Sequence, residues 1–208
     1  MSLRVTEECA GQLALSTVAP MSTHTTTVGA EFAVPEITDE ARAERLTTAG
    51  ADWATRIDRQ RSAAHLTFRV DGTGVGAVAT QLRAGSHAFL IDEPAALAGD
   101  DVAPSPVEVA LGSLIGCQVV VYRLYAQALG IRVDDIRVRA EGDLDAARLL
   151  GKDPSVRPGF SAVRLHVELT GPESLERYEA LREAVDANCP VLDLFENPTP
   201  VEVTVSKG

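Results

Sequence analysis

"PSPVEVALGSLIGCQVVVYRLYAQALG", residues 104–130, decides how the rest of the chain is read. Val107, Leu111, Leu114, Val121 and Leu124 recur every three or four residues, the spacing of one helical face. Between Ile115 and Val121 only Gln118 is polar, so the helix is expected to be buried on more than one side. Its start is readable. Ser105 suits the N-cap, Pro106 the first helical position, and Glu108 the third, which together make a capping box worth about 1 kcal/mol. Cys117 lies twelve residues beyond the cap, roughly 18 Å along the axis at about 1.5 Å per residue, out of reach of the terminal dipole. Its own helix therefore cannot activate it, and burial alone raises a thiol pKa.

Ahead of this helix the periodicity changes. Ala64, Leu66, Phe68 and Val70 alternate with polar residues, "DGTG" reads as a turn, Val75 and Ala77 resume the alternation, and "HAFLID" adds a third run. These predict a small antiparallel meander, with "GTGVG" at 72–76 as a hairpin turn rather than a phosphate loop. After it, "IRVDDIRVRAEGDLD" and "SAVRLHVELTG" predict two strands, the second alternating through Val163, Leu165, Val167 and Leu169. A helix over 172–188 presents Leu175, Tyr178, Leu181 and Val185. "TPVEVTV" predicts a closing strand through Val201, Val203 and Val205. Strands, long helix, two strands, helix and strand make an α+β order, with antiparallel sheets packed around a long central helix.

Residues 1–60 read as an N-terminal extension with a helix near 38–60, and residues 61–208 as the main domain. In the helix Leu46, Ala49, Trp53 and Ile57 form one apolar stripe, and Trp53 is expected to anchor it on the body. The preceding stretch, with Cys9 and the Thr-rich segment around His24, carries no sustained period.

The chain has 208 residues, 45% of them hydrophobic, enough for a real core. A formal charge of −11 works against nucleic acid and anionic membrane surfaces as partners. No charge-free apolar run of about 18 residues is found, so no spanning helix is expected. The N-terminus lacks the basic-then-apolar order of a secretory signal, and the expected setting is soluble and cytoplasmic. Three widely spaced cysteines, Cys9, Cys117 and Cys189, suit neither a zinc site nor a disulfide framework, and none of the four histidines stands at i, i+4 from another. No metal or cofactor is expected. Asp134-Asp135 and "EGDLD" at 141–145 read as solvated turns, and Tyr122 and Tyr125 as packing residues.

Cys189 sits in a different setting from Cys117. Pro190 disfavours helical geometry before it, so the preceding helix should end near Asn188 and Cys189-Pro190 should open a short helical turn through "VLDLF". Backbone N–H groups at such a start favour a thiolate.

The combination "APSPVEVALGSLIGCQVVVYRLYAQALGIRVDDIRVRAEGDLD", "RPGFSAVRLHVELTG", "NCPV" and "NPTPVEVTV" resembles the OsmC/Ohr family of thiol-dependent hydroperoxide reductases, over residues 64–205. The resemblance implies an OsmC-like fold in an intertwined homodimer, with cysteine sites near the subunit interface. It implies a peroxidase role for Cys117, which attacks the peroxide O–O bond, and a resolving role for Cys189. A dithiol reductant such as dihydrolipoamide would reset the pair. The organic-hydroperoxide branch of that family carries Glu directly after the helix-start Pro and Arg in an early strand. Here Val107 follows Pro106 and Glu108 comes one position later, while Arg69 and Arg83 are the early-strand candidates for the activating or substrate-binding charge. The alternative is a non-catalytic OsmC-like domain that binds an apolar small molecule at the dimer interface.

Overall fold

The computed structural model describes residues 34–208, and Ile37–Gly208 form one compact unit. Cys9 and His24 lie outside the described residues. Helix α1, Asp39–Arg59, is capped by Thr38, whose hydroxyl accepts the Ala41 N–H, and carries Asp39 and Glu40 in its first turn, where the dipole favours them. Only one side of it is half-buried, at Leu46 and Ile57, and Gln127 Nε2 donates to Thr47 Oγ1 at 3.1 Å to hold it against the central helix. Trp53 is not the buried anchor that the stripe suggests. It is exposed and lies under the Arg56 guanidinium, 4.4 Å from the ring centroid.

A three-stranded antiparallel meander comes next: β1, Asp71–Val75, β2, Ala79–Ala84, and β3, His87–Ile91, in that spatial order. The meander is as expected, but its first strand is displaced. The alternating residues 65–70 form no strand among the described residues, and "DGTG" is strand rather than turn, with Asp71 opposite Arg83 and Val75 opposite Ala79. The chain reverses at residues 76–78 instead, where Gly76 has φ +60°. A Cβ at Gly72 would come within 2.9 Å of the tip of the Leu82 side chain, which would have to shift to make room.

A loop held by Asp92 leads to the centre of the molecule. The Glu93 backbone N–H is the largest cause holding that buried carboxylate below the usual range, and the N–H groups of Val102 at 3.3 Å and Asp100 at 3.0 Å add to it. Helix α2 then runs over Pro106–Leu129 and ends at Gly130 in the left-handed region. Its capping box is complete: Glu108 Oε2 accepts from Ser105 N at 2.8 Å and from Ser105 Oγ at 2.7 Å. By length and composition alone α2 could cross a membrane, but Glu108 and Arg123 interrupt its apolar run as expected, and Val121, Tyr122 and Ala126 bury it in the core.

Strands β4, Asp135–Asp143, and β5, Ala162–Thr170, pair antiparallel with Val138 opposite Val167. Helix α2 packs on β4, and helix α3, Leu175–Asp186, and helix α4, Pro190–Glu196, pack against α2. The core gathers Val121, Tyr122 and Ala126 from α2, Ile131 and Val133 from the turn after it, Leu181 and Val185 from α3, and Cys189. The final segment departs from expectation. Residues 198–208 form no strand, and Val201, Val203 and Val205 are exposed, Val205 at 94%.

Candidate functional site

The two cysteines that sequence leaves 72 residues apart meet where α4 abuts α2. Cys189 is the N-cap residue of α4 and is 2% exposed within the core cluster; Cys117, half-buried, packs against that cluster. Both are free thiols, and they lie close enough for Cys189 to raise the Cys117 pKa. The α3 helix ends at Asp186, Ala187 and Asn188 close the turn, and Pro190 at the first helical position starts α4, so local sequence fixes where Cys189 falls.

The α4 N-terminus serves the other cysteine. Cys189 makes no capping hydrogen bond through its own side chain, whereas the backbone N–H of Val191, in the first turn of α4, is near enough to favour the Cys117 thiolate. Three influences act on the Cys117 thiol. Burial is the largest and pushes its pKa up; the Val191 N–H pulls it down; and Cys189, as hydrogen-bond partner and as a neighbouring charge, pushes it up again. The upward influences win, so within one chain Cys117 is held as a thiol at neutral pH.

None of the expected activating side chains acts on that thiol within the chain. Arg83 is exposed on β2, and Arg69 is exposed in the unpaired stretch before β1. Glu108 stands nine residues before Cys117, roughly 13 Å along the helix. The Ser105 hydroxyl first, and the Ser105 backbone N–H second, hold its carboxyl below the ordinary range. Its ionised form is committed to the cap. The contribution of Val191 escapes sequence inspection because a backbone amide has no residue-type signature; the Cys189-Pro190 helix start is the one signal that a donor stands nearby.

The position of α4 depends on a stacked aromatic pair. Phe195 on α4 stacks with Phe160 at 6.4 Å between centroids and 22° between planes, and Phe160 in turn covers Gly142 on β4. A Cβ at position 142 would meet the Phe160 ring at 2.5 Å.

An α+β fold with antiparallel sheets and a long helix defines a class that comparison with known proteins bears out. The chain belongs to the OsmC-like protein family, which it matches over residues 99–204, just over half its length. No curated protein matches it in sequence. Among solved structures it is similar to an OsmC-like protein from Mycoplasma pneumoniae, at 16% identity and a TM-score of 0.55 over 63% of this chain and 88% of that one. It is also similar to an organic hydroperoxide resistance protein OsmC from Legionella pneumophila, at 22% identity and a TM-score of 0.50, covering 64% and 90%. A third is an organic hydroperoxide resistance protein from Elizabethkingia anophelis, at 19% identity and a TM-score of 0.50, covering 63% and 89%. At these identities the likeness is one of fold.

Proposed function

We propose that this chain reduces hydroperoxides through Cys117 with Cys189 as the resolving thiol. The contact between the two cysteines, across 72 residues and at the start of α4, carries the reading. In the first step the Cys117 thiolate attacks the distal peroxide oxygen, the O–O bond breaks, and the leaving alkoxide takes a proton to become an alcohol. Cys117 is then a sulfenic acid. The Cys189 sulfur attacks it, a disulfide forms and water leaves. A dithiol of the dihydrolipoamide type returns both thiols and is itself oxidised to a disulfide.

The Val191 N–H supports the reading because it favours the thiolate; it does not by itself outweigh burial. The missing positive charge is assigned to a second copy. The first sheet leaves Phe89, with Phe68 and Val70 before it, exposed, as α2 leaves Val120 and Leu124, which is the surface an intertwined homodimer would cover. Arg69 and Arg83 are then the candidates to reach the partner's thiol. The soluble, cytoplasmic setting belongs to the same proposal.

One observation favours a second reading. The raised Cys117 pKa, with no arginine of the described residues acting on it, suits a non-catalytic domain that binds an apolar small molecule. Two measurements separate them. Alkylation of Cys117 followed against pH gives an apparent pKa below the ordinary thiol range in the first case and above it in the second. Brief exposure to stoichiometric peroxide, read by mass spectrometry, should consume two thiols per chain in the wild type and leave a trapped sulfenic acid in Cys189→Ser. Cys117→Ser turning over peroxide as fast as wild type removes the enzyme reading.

A further inference from the structure

Cys117 and Cys189 belong to one packed cluster, Cys189 2% exposed within it and Cys117 half-buried against it, and both thiols are free. Helices α2 and α4 pack together, so the two sulfurs stand on facing elements. What surrounds them narrows their chemistry. Val121, Val185 and Leu192 share the cluster, and no Asp, Glu, His, Lys or Arg of the described residues acts on the Cys117 sulfur. No group of three His, Cys, Asp or Glu side chains able to hold a metal exists among the described residues.

A thiol pair with apolar walls and no third ligand selects among metals by softness and coordination number. Zinc takes four ligands, and two would be missing. Calcium and magnesium take oxygen, and magnesium in particular gives up its water reluctantly, which apolar walls would demand of it. A soft d10 ion such as Cu(I) prefers thiolate sulfur and is satisfied by two of them. The absence of further donors, which argues against the hard and the four-coordinate ions, is therefore no obstacle to this one.

We propose that Cys117 and Cys189 together bind one soft, two-coordinate cation, Cu(I), as a second use of the pair. Two S–H protons leave to solvent and two Cu–S bonds form, with no change of oxidation state. Half-buried Cys117 gives the ion its way in, since Cys189 has almost no surface of its own. A metal-bound pair offers no free sulfur to a peroxide and a disulfide offers no thiolate to the metal, so the two uses exclude each other. The proposal rests on the same meeting of cysteines as the peroxidase reading and on none of its peroxide chemistry.

The test uses the full chain as Cys9→Ser, which leaves this pair as its only thiols, reduced, anaerobic and without peroxide. Cu(I) is titrated against bathocuproine disulfonate, a coloured chelator that competes for it. One Cu(I) per chain should be withheld from the chelator, at least about a hundredfold more tightly than by Cys117→Ser or Cys189→Ala, each checked for folding by circular dichroism. Copper X-ray absorption on the unaltered pair should show two sulfur neighbours and no nitrogen or oxygen, a readout that needs no variant at either cysteine. Weak binding that either substitution leaves unchanged, or a metal shell of three or more ligands, would overturn the proposal. If peroxide oxidises the pair yet Cu(I) binds no better than to one cysteine, this proposal alone falls. If Cu(I) binds and peroxide is not turned over, the peroxidase reading alone falls.

Discussion

On β4 and β5 every second side chain turns toward the helices, and Ile136, Val167 and Leu169 pack against the core while Arg164 pairs with Glu141 and Asp143 on the other side. On β1 to β3 the same strand geometry buries Ala79 and leaves Val75 and Phe89 exposed. The difference lies in what packs on each sheet. Helix α2 packs on β4 of the second sheet and α3 and α4 pack on α2 in turn, whereas among the described residues no helix packs comparably on β1 to β3. Alternation specifies a face; only a partner within reach turns that face into a core.

The largest expected effect breaks the better-packed side. Leu181, fully buried between α3 and α2, should cost about 2–5 kcal/mol as Leu181→Ala, read as a lower denaturation midpoint at unchanged slope. Phe68→Ser, at a position 86% exposed, should change the unfolding of a single chain by less than about 1 kcal/mol, yet weaken self-association measured by sedimentation. Equal stability losses at the two sites would erase the contrast.

A smaller effect concerns alkaline pH. Burial first, then the charge of Asp186, pushes the Tyr122 phenol up to about 12 from an ordinary value of 10.0. The folded state therefore holds this proton more tightly than the unfolded one. Its contribution is complete below the unfolded pKa near 10 and drains away as pH rises through 12. Tyr122→Phe should flatten that alkaline loss by on the order of 1–2 kcal/mol, followed by thermal melts across this window. A melt series with the same alkaline slope in both proteins would refute the assignment.

The junction between the two sheets gives the smallest change. Ser105→Ala removes the hydroxyl that accepts the Glu108 N–H and donates to its carboxylate, and should cost about 1 kcal/mol; Glu108→Gln, which can still reach the Ser105 N–H, should cost less. If Glu108→Gln folds normally but loses most peroxide turnover, the carboxylate has a role in the chemistry beyond the cap.

Where a structural choice is local, the sequence spoke clearly. Ser105, Pro106 and Glu108 stand at their capping positions, Val163 to Leu169 face inward on alternate residues, and Cys189 caps α4 ahead of Pro190. The misses share a different cause. Leu66, Phe68 and Val70, like Val201, Val203 and Val205, carry a strand's alternation without a strand to pair with among the described residues, so periodicity located the segments and could not supply their hydrogen bonds. Trp53 satisfies the helical stripe but finds Arg56 before it finds the core. Which cysteine receives the α4 amide depends on how α4 meets α2, a tertiary fact with no trace in either local stretch.

That meeting gives Gly142 a meaning its strand position would not suggest. The absence of a side chain there leaves the berth that Phe160 fills, Phe160 stacks on Phe195, and Phe195 rides on a helix of seven residues whose first turn carries the Val191 amide. The stack adds to the hold that α2 and the core already have on this helix through Cys189 and Leu192. A methyl group added on β4 would press on a ring that stacks against α4, so the site's tolerance to sequence drift is set partly by a position with no side chain at all.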